Sequence, residues 1–362
     1  MPTLVFKLVI LSALLIGLPL LCVALGGQPD AQYLEFPPLT RHVAHAPFFW
    51  SVFGLFAGLS LALVAALAWM VIRDRRAGED ISTNARTAAW PWWGWLGIAM
   101  LAGSWFLAWT RFAWFDGLQP YTFTPLWLSY IIVVNAMTFW RSGRCLLTHQ
   151  PRFLAGLFPL SALFWWYFEY LNRFVQNWYY IGIEEFTPIR YTLHATLAFS
   201  TVLPAVASTT AWWSSVLRPP AQGLSIEMSR RASRAVALGV VAVSAAGLIG
   251  LSVWPNYLFP LLWFAPPLLL LALQGLQGEP PLIAQLRSRG WQVVYLPALA
   301  ALQCGLFWEL WNYHSQAKWI YSIPFVHKFQ LFEMPIVGYA GYLPFGIECA
   351  VVAALLGARR RH

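Results

Sequence analysis

Charge is what this sequence has least of: only 10% of its 362 residues are Asp, Glu, Lys or Arg, and 14 are acidic. A chain that poor in charge and 59% hydrophobic falls outside the composition of soluble domains. The four cysteines, Cys22, Cys145, Cys304 and Cys349, are widely scattered, fall mostly in apolar segments and form no CxxC pair or metal-like spacing, so no disulfide framework or zinc site is indicated. No HxxH, HxxxH or ExxH pattern lies on one helix face, so a metal site from His194, His314, His327 and the glutamates is not expected. A glycine-rich phosphate loop and a Gly-x-Ser-x-Gly element are also missing, which argues against ATP-driven work and against a serine nucleophile. No cofactor is implied.

What the chain has in abundance is long apolar runs and aromatic rings, including 22 tryptophans. Runs able to cross about 30 Å of hydrocarbon, roughly 20 residues each, lie near 3–25, 48–72, 92–110, 122–140, 153–171, 191–213, 233–253, 258–274, 292–310 and 338–357. The expectation is an all-α polytopic membrane protein with about ten transmembrane helices. The net charge of +9 comes from short basic clusters between runs rather than from a nucleic-acid face. With a cytoplasmic N-terminus, 17 of the 23 basic residues fall on one side, as the positive-inside rule requires. That places both termini in the cytoplasm of a bacterial inner membrane. The first run also has the short positive start of a signal peptide, but its length suits a retained helix.

One phrase occurs twice, about 140 residues apart. Phe168-Glu169-Tyr170-Leu171-Asn172 is followed by Trp178-Tyr179-Tyr180, and Trp308-Glu309-Leu310-Trp311-Asn312 by Trp319-Ile320-Tyr321. Tyr121 to Trp127 resembles Tyr257 to Trp263 in the same way, and Leu157-Phe-Pro159-Leu resembles Tyr295-Leu-Pro297-Ala. The self-similarity predicts two parallel four-helix repeats plus two N-terminal helices. The expected divisions are two helices with an outer loop in 1–91, repeat one in 92–213, a basic linker in 214–232 that meets anionic lipid heads, and repeat two in 233–362.

A carboxylate at the end of an apolar run is costly unless it is paired or used. Glu169 and Glu309 are therefore the first candidates for acid/base chemistry, with Asn172 and Asn312 at i+3 on the same helical face. A membrane-interface belt accounts for the Trp and Tyr residues equally well, though not for the repeated Glu-x-x-Asn. The second repeat is richer in polar groups: His314, Lys318, His327 and Glu333 follow Glu309, and the irregular segment 325–335 reads as a re-entrant or interfacial element over a site. Trp165, Trp166, Trp178, Tyr180, Trp308, Trp311, Trp319 and Tyr321, with Lys318 and His194, are candidate substrate-binding residues. Their rings suit an apolar or transiently cationic molecule. Glu348, deep in the last run, is a further intramembrane carboxylate, while Asp116, His42 and His45 fall in outer loops.

The repeated Trp/Phe-Glu-x-x-Asn, the Trp-x-Tyr elements and Phe332-Glu333-Met334-Pro335 resemble the lycopene cyclase domain of membrane-integral carotenoid cyclases, over roughly 170–213 and 305–350. The chain also resembles an uncharacterised group of bacterial membrane proteins. The cyclase resemblance implies an isoprenoid substrate and gives Glu333 the place of the acid that protonates a polyene. Glu-x-Pro at 333–335 stands in place of that family's Pro-x-Glu-Glu, and four-helix units replace its three-helix units. Three roles are open on the residues alone: a membrane-embedded enzyme acting on a lipid or isoprenoid, a transporter or flippase, and a non-catalytic subunit with a membrane-protein partner. A lipid or hydrophobic small molecule is the partner common to all three.

Overall fold

The structure, a computed structural model, describes residue 6 and residues 9–26, 31–38, 41–77, 88–217, 229–278 and 285–357. Most of the basic linker expected over 214–232, and the basic residues Lys7, Arg86, Arg218 and Arg359 to Arg361, lie outside them.

Eleven α-helices of eight residues or more organise the described chain. They are α1 (Val9–Leu25), α2 (Trp50–Ala77), α3 (Trp92–Trp109), α4 (Phe123–Ser142), α5 (Pro151–Val175), α6 (Pro188–Phe199), α7 (Val202–Val216), α8 (Arg230–Val253), α9 (Leu261–Leu276), α10 (Gln292–His314) and α11 (Tyr342–Gly357). Local chemistry sets several of the boundaries. Pro151 and Pro188 open α5 and α6 in the first turn, where a missing N–H costs nothing. Thr187 and Ser229 cap α6 and α8 by accepting from the Arg190 and Ala232 amides. Gly143 closes α4, and Gln176 closes α5, in the left-handed conformation.

Among the described residues, each run read from the sequence is helical over most of its length, and the helices differ in length and apolar character. Five helical stretches are long and apolar enough to cross a membrane: Trp50–Asp74, Phe123–Ser142, Arg231–Val253, Gln292–His314 and Ile336–Leu356. A sixth arises if α3 and the 3-10 turn Ala113–Tyr121, bent by 108°, form one broken span. The run at 191–213 is interrupted at Ser200 and Thr201, giving α6 and α7. The run at 258–274 is broken at Phe259 and Pro260, and the helix that follows, α9, has 16 residues. The 25-residue α5 carries Arg152, Glu169 and Arg173.

Helix α3 packs on α4, and α8 on α9; α4 meets α7, and α9 meets α11; α7 crosses α10, and α11 crosses α5. The centre is aromatic: Trp127, Trp311, Tyr295 and Phe168 are the largest fully buried side chains. Among the described residues sheet is confined to two small ribbons. Strand β1 (Trp178–Ile181) pairs antiparallel with β2 (Lys318–Tyr321), and the two-residue strands β3 (Gln330–Leu331) and β4 (Met334–Pro335) make a hairpin. Where the chain leaves β1, Gly182 has φ +74°, and a Cβ there would collide with the Gln316 carbonyl.

A carboxylate pair under an aromatic ribbon

Glu169 lies in the last two turns of α5 and is fully buried. Three donors converge on its Oε1: Tyr180 Oη at 2.6 Å, Trp165 Nε1 at 3.0 Å and Trp178 Nε1 at 3.1 Å. Trp165 reaches it because i−4 stacks on the same helix face. Trp178 and Tyr180 reach it because alternate strand residues share a face. Asn172 explains why the strand sits there. Its Nδ2 donates to the Trp178 carbonyl at 2.8 Å and its Oδ1 accepts from the Asn177 amide at 2.8 Å. The amide of Asn172 thus fixes the backbone entering β1.

Glu309, also fully buried, repeats the arrangement with one exchange. Asn312 clips the second strand, donating to the Trp319 carbonyl at 2.8 Å and accepting from the Trp319 amide at 2.9 Å. Tyr321 Oη donates to Glu309 Oε1 at 2.8 Å and itself accepts from Trp319 Nε1 at 3.0 Å. The second donor to Oε1 is Tyr342, at 2.8 Å, from the first turn of α11. Position i−4 from Glu309, which Trp165 fills in the first cluster, is Gly305. A Cβ on Gly305 would lie 2.6 Å from Tyr342 Cγ and closer still to two other ring carbons. The missing side chain is what admits the tyrosine. In both clusters the second carboxylate oxygen, Oε2, has no protein partner.

The two phrases meet in the β1–β2 ribbon. Trp178 is paired with Tyr321, Tyr179 with Ile320 and Tyr180 with Trp319, so the four carboxylate-facing rings share one face of the ribbon. Burial, reinforced by the adjacent Glu169 and Glu309, pushes the Tyr180 and Tyr321 phenols well above their ordinary range, which keeps both as O–H donors.

That face forms one wall of a cavity of about 320 Å³. Trp165, Trp263, Trp308, Tyr342 and Phe345 line it beside the ribbon, and Phe56, Leu59 and Leu63 of α2 close another side. Two buried polar atoms of lining residues, Tyr191 Oη and Asn177 Oδ1, have no protein partner. The segment expected to cover a site does contribute wall residues: Val326, Met334 and Pro335. The loop before α2 holds it: the Phe49 amide donates to the Phe325 carbonyl at 2.9 Å, and the Phe325 amide donates to the Ala46 carbonyl at 3.2 Å.

Of the other residues singled out by the sequence, Lys318 and His194 line the cavity. Lys318 Nζ is bonded to Glu333 Oε1 at 2.5 Å, and His194 Nε2 to the Pro120 carbonyl at 3.0 Å. Trp166 donates to Thr196 Oγ1 and Trp311 is packed against Trp105, Trp127 and Phe307; neither lines the cavity. His314 packs edge-on against Trp109 and Tyr313, and His327 contacts Gln330 Nε2 at 3.0 Å. His45 bridges Asn256 and the Gln176 carbonyl, while His42 packs on Tyr179. The sequence pattern does not point to Gly305, Tyr342, Tyr191, Trp263 or Phe345. Only the Pro344-Phe345-Gly346 step near the start of the last run marks that region.

Among the described residues no group of three His, Cys, Asp or Glu side chains could hold a metal ion. A mainly helical chain with five or six helices long and apolar enough to cross a bilayer, packed around an aromatic cavity and two buried carboxylates, is compatible with an integral membrane protein. The chain matches no protein-family profile, no curated protein and no solved structure.

Proposed function

We propose that the chain is an integral membrane protein that takes a largely apolar molecule, of lipid or isoprenoid character, into the cavity beside the β1–β2 ribbon. The observation that carries this reading is the cavity itself: about 320 Å³, walled by tryptophan, tyrosine, phenylalanine and leucine side chains, with few polar atoms on its surface.

Within this reading the protein is an enzyme working by acid/base chemistry. Glu169 and Glu309 do not line the cavity, but each is joined to it through a tyrosine hydroxyl. A proton passes between ligand and carboxylate by way of Tyr180 on one side and Tyr321 or Tyr342 on the other. Asn172 and Asn312 position the ribbon, and Lys318 with Glu333 sits at the edge where a polar head lies. Glu333, the acid implied by the cyclase resemblance, serves here as the counter-ion of Lys318. Paired packing of α3–α4 with α8–α9, and of α7–α10 with α11–α5, supports two parallel repeats, each carrying one carboxylate. Ten membrane crossings, an inner-membrane location and cytoplasmic termini belong to the same proposal.

The test is lipid and pigment analysis of cells with the wild-type chain, without it, and with Glu309→Gln, alongside mass spectrometry of protein extracted in lipid discs. The expected result is a bound apolar molecule lost on Ala198→Trp, which fills the cavity, and a changed product profile in Glu309→Gln. An unchanged profile in every strain together with altered uptake of a solute would make the protein a carrier. Purified protein with no bound apolar molecule in either form would remove the whole reading.

A further inference from the structure

A third buried carboxylate lies away from this cavity. Glu348 of α11 is fully buried, and neither Oε1 nor Oε2 has a hydrogen-bond partner. It faces a separate cavity of about 50 Å³ lined by Leu11, Leu15, Tyr167, Phe168, Leu270 and Leu355 among others. Phe164, Phe168 and Phe345, mutually packed at 5.1 to 6.1 Å, stand between the two cavities. One of the lining residues, Leu163, is 41% exposed.

Three occupants of this site can be weighed. A metal cation needs about six oxygen ligands, and the lining supplies one carboxyl and the hydroxyl of Tyr167, itself engaged with Ser12 at 2.5 Å. An organic cation or lipid head is too large for the volume. A proton needs neither a further ligand nor space. No charged side chain among the described residues lines the cavity to balance an ionised Glu348. The titratable groups beside it are Tyr167 from α5, which lines the cavity, and Cys349, its neighbour on α11; neither is a cation. An unpaired carboxylate removed from water costs several kcal/mol or more, and such a group neutralises instead. A cavity needs only about 10–15 Å³ to hold a water, so the volume admits the water through which a proton arrives.

We propose that Glu348 and its cavity form a proton-binding site, distinct from the cavity beside the β1–β2 ribbon, in which the carboxyl is held as the neutral acid. Its place on α11 gives it leverage: Tyr342, Phe345 and Glu348 follow at steps of three along one stripe, so the helix that carries this proton also carries the Glu309 clamp and the partition between the cavities.

The experiment is infrared difference spectroscopy of the full chain in lipid discs at pH 7, wild type minus Glu348→Gln. The expected result is a carboxylic-acid C=O band present in the wild type and absent in the variant; an unchanged band in that region overturns the proposal. Because Glu348→Gln could fail to fold, the wild type is also treated with a lipid-soluble carbodiimide. The acid O–H adds across the C=N bond, its proton passing to nitrogen, and the adduct rearranges to a stable acylurea that keeps every atom. An adduct on the Glu348 peptide at least tenfold above that on the loop residues Glu184 and Glu185 supports the site. Labelling confined to those loop carboxylates refutes it. Neither readout depends on a ligand in the larger cavity.

Discussion

Replacing Gly305 with alanine sets two effects of opposite sign against each other. Alanine is the better helix former by about 1 kcal/mol in a helix interior, and on propensity alone α10 is strengthened. The new methyl, however, falls on the Tyr342 ring, 2.6 Å or less from three of its carbons. Overpacking of this kind costs about 1–3 kcal/mol. If the ring swings away, the Tyr342 hydrogen bond to Glu309 is lost as well, and a bond to a charged group is worth about 1.5–3 kcal/mol. The overpacking and bond terms outweigh the propensity gain, leaving a net loss of about 1–5 kcal/mol. The assay is unfolding in mixed micelles titrated with a denaturing detergent, run on Gly305→Ala, Tyr342→Ala and the double variant. With the ring gone, Gly305→Ala becomes neutral or stabilising by up to about 1 kcal/mol, so the cycle shows a coupling of about 2 kcal/mol or more. Equal effects of Gly305→Ala in both backgrounds would refute the steric account of this site.

Asn172→Ala and Asn312→Ala each leave a strand carbonyl and an amide unpaired, at a cost of about 1–3 kcal/mol per group in the same unfolding assay; a loss below 0.5 kcal/mol for both would show that the clips are dispensable. Lys318→Met strands a Glu333 side chain that is only 16% exposed and should cost about 1–3 kcal/mol, between the values for surface and buried pairs, with most of it recovered in Lys318→Met/Glu333→Gln. His327 has its pKa lowered by burial first and by neighbouring His45 next. The unfolded chain therefore takes up the proton before the folded one, and stability is full above the ordinary histidine range and falls as pH drops through about 6.5. A thermal midpoint that declines from pH 7.5 to pH 5.5 in the wild type, and less in His327→Gln, is the expected observation; identical declines would assign the effect elsewhere.

The sequence is most informative about this site where two periodicities overlap. Glu169 and Asn172, like Glu309 and Asn312, declare one helix face, and Trp178-x-Tyr180 and Trp319-x-Tyr321 carry the two-residue period of a strand. That second period is easy to overlook in a chain of helices, because four residues of strand sit among aromatic rings that a membrane belt also explains. The antiparallel pairing of the two phrases is invisible to local pattern, since it joins residues about 140 positions apart. Trp311 illustrates the limit of proximity in sequence. It stands two residues after Glu309, which on a helix is the opposite face, and it packs into the core. Tyr342 could be found only through the gap at Gly305, a residue whose meaning lies in what another helix places against it. The helices themselves are legible at nearly every position because apolar runs are long, while their number of crossings is not: breaks at Ser200–Thr201 and the shortness of α9 arise from packing rather than composition.

The β1–β2 ribbon also dictates an order of assembly. All three donors to Glu169 lie within 11 residues of it, so the first cluster is complete as soon as Tyr180 has been made. Strand β2 follows about 140 residues later, on the order of ten seconds of synthesis at about 5–20 residues per second. Through that interval β1 is an open edge with its backbone groups unmatched. A chain halted before Lys318 carries half a site with an unpaired edge, and the arrival of the second phrase both pairs that edge and builds the remaining wall.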